Sequence, residues 1–212
     1  MTHSAMFPLG MVLFPAQLLP LRVFEPRYRA LVADCLRDES GFGVVLIERG
    51  SEVGGGDVRT GLGTLARIVH AQPYADGRWS IVAMGTERIR VTAWLPDDPY
   101  PCADIEPLPD AQINEPIDSL AVHATELLRR VLALRSELGE AVPPATFDVS
   151  PNPLAASYQL AASCPFGPFD RLNLLAAAGP AERLEQMVAL LEDERSLCAT
   201  RLAMEADEEP SD

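Results

Sequence analysis

The side chains able to do chemistry stand at spacings that do not combine them. His3, His70 and His123 are far apart, and no two have the spacing of metal ligands or of a catalytic pair. Cys35, Cys102, Cys164 and Cys198 form no CxxC and have no histidine cluster nearby, which reads as packed thiols rather than a metal site or a disulfide frame. Ser4, Ser40, Ser80 and Ser163 lie outside any GxSxG elbow. Asp97-Asp98 falls in a turn and Glu192-Asp193-Glu194 on a helix exterior, where carboxylates are solvated rather than catalytic. All seventeen basic residues are arginine. Without a lysine there is no Walker A loop, no Ser–Lys dyad and no Schiff base. The triple glycine within residues 50–59 is followed by neither a helix opening nor a lysine, so it reads as a loop and not a phosphate cradle. These residues predict no enzyme, no cofactor and no metal.

Charge narrows the partners. The net charge is −14, with ten arginines against fourteen acids in residues 1–110 and seven against seventeen in 111–212. A nucleic-acid backbone would be repelled unless a local basic patch intervened; Arg88 and Arg90, on one strand face, are the residues that might form one. No apolar run approaches the ~18–20 residues of a membrane span, and MTHSAMFPLG lacks the pattern of a secretory signal, so a cytoplasmic protein is expected.

The elements that must position any site begin with residues 7–29, FPLGMVLFPAQLLPLRVFEPRYR. Prolines 8, 15, 20 and 26 cut its apolar run into pieces too short for an ordinary helix. The reading is two strands, about 9–14 and 18–24, around a turn at Pro15-Ala16-Gln17. A helix then opens at Pro26, with Tyr28, Leu31, Val32 and Cys35 at helical spacing and Gly41 as its C′ residue. Glu25 either caps this helix or pairs with an arginine such as Arg27 or Arg29. The pattern FPL-x₃-LFP-x₄-PL-x₂-FEPRYR resembles the opening signature of the Lon protease N-terminal (substrate-binding) domain. Phe7, Pro8, Leu9, Phe14, Pro15, Pro20, Leu21, Phe24, Glu25, Pro26, Arg27 and Tyr28 carry it and are expected to hold the fold. Phe14 and Phe24 are both expected in the core.

Downstream, residues 43–49 read as a buried strand and 60–71 as an alternating one. Asp76-Gly77 marks a hairpin, Trp79–Met84 returns, Gly85 breaks, and Glu87–Trp94 and Tyr100–Ile105 are further strands. This predicts a closed or nearly closed antiparallel sheet. From about residue 114 the period becomes helical: Ile117, Leu120, Ala124, Leu127, Leu128 and Val131 form a stripe, with stops or starts at Gly139, Asn152-Pro153, Gly167-Pro168 and Pro180. Val142-Pro143-Pro144 reads as a stiff linker.

The stretches 60–109 and 156–194 also resemble the Lon N-terminal region, so the likeness spans roughly 5–200 and excludes the ATPase and peptidase modules. It implies an α+β fold: a PUA-like antiparallel β pseudobarrel with one short helix over 1–112, an α-helical bundle over 113–205, and an acidic disordered tail over 206–212. It further implies a bacterial, non-catalytic module recognising unfolded or degradation-marked polypeptides, working with a protease or chaperone, without nucleic acid or membrane. Tyr74, Trp94, Leu95 and Tyr100 are the candidates for the peptide-binding surface, with burial in the core as the competing reading. A scaffold for one folded partner, or a PUA-like RNA-binding protein, are the alternatives.

Overall fold

The computed structural model describes residues 2–50, 58–113, 116–143 and 146–208. In chain order the elements are β1 (Thr2–Leu9), β2 (Leu18–Val23), α1 (Pro26–Arg37), β3 (Phe42–Arg49), β4 (Val58–Pro73), β5 (Trp79–Leu95), β6 (Cys102–Pro107), α2 (Asp118–Glu137), α3 (Pro153–Ser163), α4 (Pro168–Ala176) and α5 (Pro180–Glu208). They form two compact units: Met1–Pro109 with Pro168–Ala176, and Asp110–Gly167 with Ala177–Asp212. The linear division expected near residue 112 lacks this return of residues 168–176 to the first unit.

The sheet of the first unit runs β2-β5-β4-β3-β1-β6, and a further β5–β6 pairing joins β1, β3, β4, β5 and β6 into a ring. β2 stands outside the ring, paired only with β5. The sheet is mixed, not antiparallel as expected, because β1 and β3 are parallel. The crossover between them is long enough for that, carrying both β2 and α1.

The first strand is Thr2–Leu9 instead of 9–14. Pro8 is tolerated because β1 pairs with β6 only over residues 2–5, leaving Pro8 a ladder partner on the β3 side alone. Val12, Leu13 and Phe14 are buried without being a strand. Their loop is pinned to the sheet: Ala16 N–H donates to the Gly85 carbonyl (2.8 Å), Gly85 N–H to the Gln17 carbonyl (3.0 Å), and Thr64 Oγ1 to the Leu13 carbonyl (2.6 Å). Gly85 therefore does not break the strand. It sits in a register shift of a continuous β5, where a Cβ would lie 2.3 Å from the Phe14 carbonyl oxygen.

Helix α1 forms as its spacing predicts, burying Tyr28, Leu31, Val32 and Cys35, but its left-handed C-terminal residue is Glu39 (φ 50°) and not Gly41. Phe7 stacks on Tyr28 with ring centres 4.1 Å apart, and the α1 face packs on Leu19, Val23, Ile81 and Ala83. A second, smaller core of Met6, Val45, Ile89, Ala103 and Ile105 takes the opposite face of β1. Phe14 is fully buried, whereas Phe24, expected beside it in the core, is 54% exposed.

Arg88 is buried too, against the expectation that it might offer a basic surface. Its guanidinium donates to the Leu175 carbonyl (2.7 Å) and the Pro109 carbonyl (3.2 Å). With Arg171 stacked over Phe14 at 5.1 Å, this is what ties α4 to the first unit.

In the second unit α2 packs chiefly on α5, and α3 on both. Arg183 is fully buried there over the Tyr158 ring (3.9 Å), donating to Ser157 Oγ (2.8 Å) and Asp110 Oδ1 (2.7 Å). Tyr158 donates to the other Asp110 oxygen, so every charge in this network is answered and it reads as structural. Asn152 caps α3 through Ala155 N–H (3.0 Å), and Gly139 ends α2 with φ 74°, both as the sequence predicts. α5 continues to Glu208, past the point where a disordered tail was expected; residues 209–212 lie outside the described residues. So do 51–57 of the expected glycine loop and Pro144 of the expected linker.

Candidate functional site

The residues first considered for chemistry stay apart. His3, His70 and His123 lie exposed on three different elements. All four cysteines are buried and outside any disulfide, and burial pushes the Cys35 thiol up, away from the reactive thiolate. Asp97 grips Arg59 through two hydrogen bonds (2.8 and 3.1 Å), and Glu194 accepts from Arg135 at 2.6 Å. Among the described residues no three metal-ligating side chains converge. Nor is any described helix long and apolar enough to cross a membrane.

What the first unit offers is a surface. Over residues 79–84, β5 lies between β2 and β4, and its register defines rows of side chains. Leu19–Ala83–Ile68, Leu21–Ile81–Ala71 and Val23–Trp79–Pro73 are the rows turned towards the α1 core. The alternate rows must face outward because side chains alternate along a strand. These are Leu18–Met84–Arg67, Pro20–Val82–His70 and Arg22–Ser80–Gln72. A shift in register between Ile68 and His70 adds Val69 to the outward side. Leu18 is 58% exposed and Val69 46%, with Val82 and Met84 half-buried between them.

Two aromatic rings extend this face at one end. Phe24 follows Val23 and Tyr74 follows Pro73, both of which pair with Trp79. Tyr74 is 52% exposed at the Asp76-Gly77 hairpin, whose turn closes by Tyr74 N–H donating to the Arg78 carbonyl (2.9 Å). Gly77 (φ 81°) leaves room for the Arg29 guanidinium, which comes within 1.9 Å of where a Cβ would be. Glu25 does not cap α1; its carboxylate accepts from Arg27 Nε at 3.1 Å.

The other sequence candidates sit elsewhere. Trp94 and Leu95 pair with Ala103 and Cys102, at the opposite end of β5 from Tyr74. The Arg59 guanidinium covers the Trp94 ring at 4.9 Å, and Leu95 is half-buried. Tyr100 packs on the α1 core and donates to Asp34 Oδ2 (2.8 Å); burial, then the neighbouring Asp34 charge, holds its phenol well above the usual range. The structure thus places Tyr74 and Phe24 at the same end of the face, on the two strands that flank β5, and sets Trp94 and Leu95 at the opposite end of β5.

Leu18, Arg22, Val69, Val82 and Met84 were not expected as site residues, and Pro20 was expected only to hold the fold. The signal was present in LLPLRVF, where one strand phase is wholly apolar and the other adds Leu18, Pro20 and Phe24 around Arg22. A half-buried strand needs only one apolar phase, so the second was surplus to the core.

Comparison with known proteins gives this surface a setting. The family model of the ATP-dependent protease La (LON) substrate-binding domain matches residues 4–193. The chain is 34% identical over 131 residues to Lon protease of Anaeromyxobacter dehalogenans, a stretch covering 60% of this chain and 15% of that protein. Lon protease 2 of Myxococcus xanthus is also 34% identical over 131 residues, 16% of its length. The chain therefore spans only a small part of these curated relatives. Among solved structures, the Lon N-terminal domain protein from Xanthomonas campestris superposes with TM-score 0.64 at 31% identity, over 89% of this chain and 98% of that one. The N-terminal domain of Mycobacterium avium complex Lon protease shares the fold, with TM-score 0.63 at 17% identity over 92% of this chain and 98% of that one. By the family model and the Xanthomonas structure alike, the chain belongs to the Lon substrate-binding domain family.

Proposed function

We propose that these 212 residues form a non-catalytic recognition module that binds unfolded or degradation-marked polypeptide through the outer face of β2, β5 and β4. The observation that carries the reading is the exposure of Leu18, Phe24, Val69 and Tyr74 around half-buried Val82 and Met84. Apolar surface left open on a folded unit is the natural partner of side chains that a folded client hides. β2 adds a second feature. It has one sheet neighbour, so its other edge offers backbone groups to an extended chain. Pro20 removes one donor from that edge, which limits self-association without closing the edge.

Such binding is broad in sequence, because burial is non-directional. Family membership supports polypeptide as the ligand class. The pseudobarrel of PUA-like type, a cytoplasmic setting and a protease or chaperone partner belong to the same reading. RNA is disfavoured by the net charge of −14 and by the burial of Arg88.

The test is fluorescence anisotropy with one labelled protein, reduced and unfolded or folded, and a labelled RNA, each at about 0.1 and 0.5 M salt, on either side of strong screening. The unfolded form should bind in preference to the folded form and should keep its affinity in salt. Equal binding of the two protein forms, or none, removes the reading; binding of RNA alone that collapses in salt replaces it with a nucleic-acid role.

A further inference from the structure

We infer that this face selects apolar segments that carry carboxylates, with Arg22 and Arg67 as the residues that set the preference; the inference rests on the peptide-binding reading above. In a chain of net charge −14, the three outward rows contain no acid. Their only fixed charges are Arg22, in the row with Ser80 and Gln72, and Arg67, in the row with Met84 and Leu18. Both are exposed. The acids at the end of the face are already engaged: Asp76 accepts from Arg78 Nε at 2.6 Å and Glu25 from Arg27 Nε at 3.1 Å.

Register fixes the spacing of the two cations. Arg22 lies four residues along from Leu18, and Arg67 two strands across from it. With ~3.4 Å per residue and ~4.8 Å per strand, they stand roughly 17 Å apart at the Cα level, at opposite corners of the patch centred on Val82. An extended chain crossing that diagonal covers the distance in about five residues. The preferred ligand is therefore an extended polypeptide with carboxylates about four or six residues apart, so that both face the same way, and apolar side chains between them. The apolar centre supplies affinity for any unfolded segment, and the two guanidinium groups discriminate among segments. A guanidinium meets a carboxylate with paired donors, so the preference is for Asp or Glu over a diffuse negative charge.

Three labelled peptides test this by anisotropy with the full chain. They share an apolar frame and carry two glutamates about four residues apart, an even spacing that turns both to one side of an extended chain, two lysines at the same places, or two glutamines. At about 0.1 M salt the Debye length of ~10 Å screens most of the remote negative charge and leaves contacts on the face. The glutamate peptide should bind about tenfold tighter than the lysine peptide, and the ratio should shrink at about 0.5 M salt. Arg22→Glu with Arg67→Glu should invert the ratio, and Arg22→Gln with Arg67→Gln should bring it near one, which keeps the test decisive if the charge-reversed protein folds poorly. Arg130→Glu, on the exposed side of α2, should leave it unchanged. If the glutamine peptide binds but the charged ones bind equally, or the ratio ignores the changes at Arg22 and Arg67, the inference fails alone. If the glutamine peptide does not bind wild-type protein, the peptide-binding reading fails with it.

Discussion

β5 is one strand with two unlike halves. Over Trp79–Met84 it lies between β2 and β4, and its outward row meets Leu18, Pro20 and Arg22 on one side and Arg67, His70 and Gln72 on the other. Over Ile89–Leu95 it pairs with β6, and there, as at the adjacent Arg88, the main polar and aromatic side chains find partners within the unit. Arg88 serves two carbonyls, Arg90 lies 3.9 Å from Glu106, Thr92 Oγ1 donates to the Asp104 carbonyl (3.0 Å), and Trp94 lies under Arg59. One half closes the ring of strands and satisfies itself. The other carries a free-edged strand whose outward apolar groups are more than the core requires. The proposed binding falls on the half where the fold leaves surface unanswered, and the ring-closing contacts fall on the other.

The largest effect that sharpens this contrast separates two phenylalanines of the same signature. Phe14→Ala should cost ~3–5 kcal/mol, since its ring is fully buried under the loop pinned at Gly85. Phe24→Ala should cost less than about 1 kcal/mol and should weaken binding of unfolded polypeptide. Denaturant midpoints measure the first and anisotropy the second. Equal midpoints for the two variants would mean that inner and outer positions are not distinguished as described.

Next comes Arg88→Met, which removes the donors to Leu175 and Pro109. Loss of the charged donor to the buried Leu175 carbonyl and to the part-buried Pro109 carbonyl should cost about 2–4 kcal/mol. Amide exchange should rise first within Pro168–Ala176, the helix that this side chain holds. Unchanged exchange there would assign the attachment of α4 to its apolar contacts and to Arg171 instead.

These two variants also mark how far the sequence could be read. Both phenylalanines occupy apolar, proline-bounded pieces, and in LLPLRVF Arg22 is the one polar residue that marks the phase of Phe24 as the outer one. Local spacing was sufficient where the signal is local: α1 and its four buried residues, the Asp76-Gly77 hairpin, the Asn152 cap and the Gly139 stop. It was insufficient where the outcome depends on distant partners. The buried loop at 12–14 needs Thr64 and Gly85, and the parallel pairing of β1 needs β3. Arg88 reads as an exposed charge until α4, more than eighty residues away, supplies its carbonyl. The candidate site was half legible for the same reason. Tyr74 is recognisable at a turn, but that Leu18 and Phe24 share its face follows from strand register, which one sequence does not display.

A smaller effect falls on binding. Leu18→Asp places a carboxylate on the exposed edge strand and should change stability by less than about 1 kcal/mol. It should lower affinity for unfolded polypeptide about tenfold, equivalent to ~1.4 kcal/mol. Retained affinity in a folded variant would move the binding surface off the β2 half.

Smallest of all should be Trp94→Ala, which tests the other half directly. Its ring is 36% exposed, and its main partner is the Arg59 guanidinium at 4.9 Å. A cation–π contact at such a site contributes about 0.5–1 kcal/mol, and Arg59 keeps its two hydrogen bonds to Asp97 when the ring is gone. Stability should therefore fall by no more than about 1 kcal/mol in urea titration. Affinity for unfolded polypeptide should change by less than about twofold, because the ring is already occupied by its own arginine and lies at the far end of β5 from Phe24 and Tyr74. A tenfold loss would show that a client displaces Arg59 from the indole. The self-satisfied half of the strand would then be part of the recognition surface, and the division of labour along β5 would have to be abandoned.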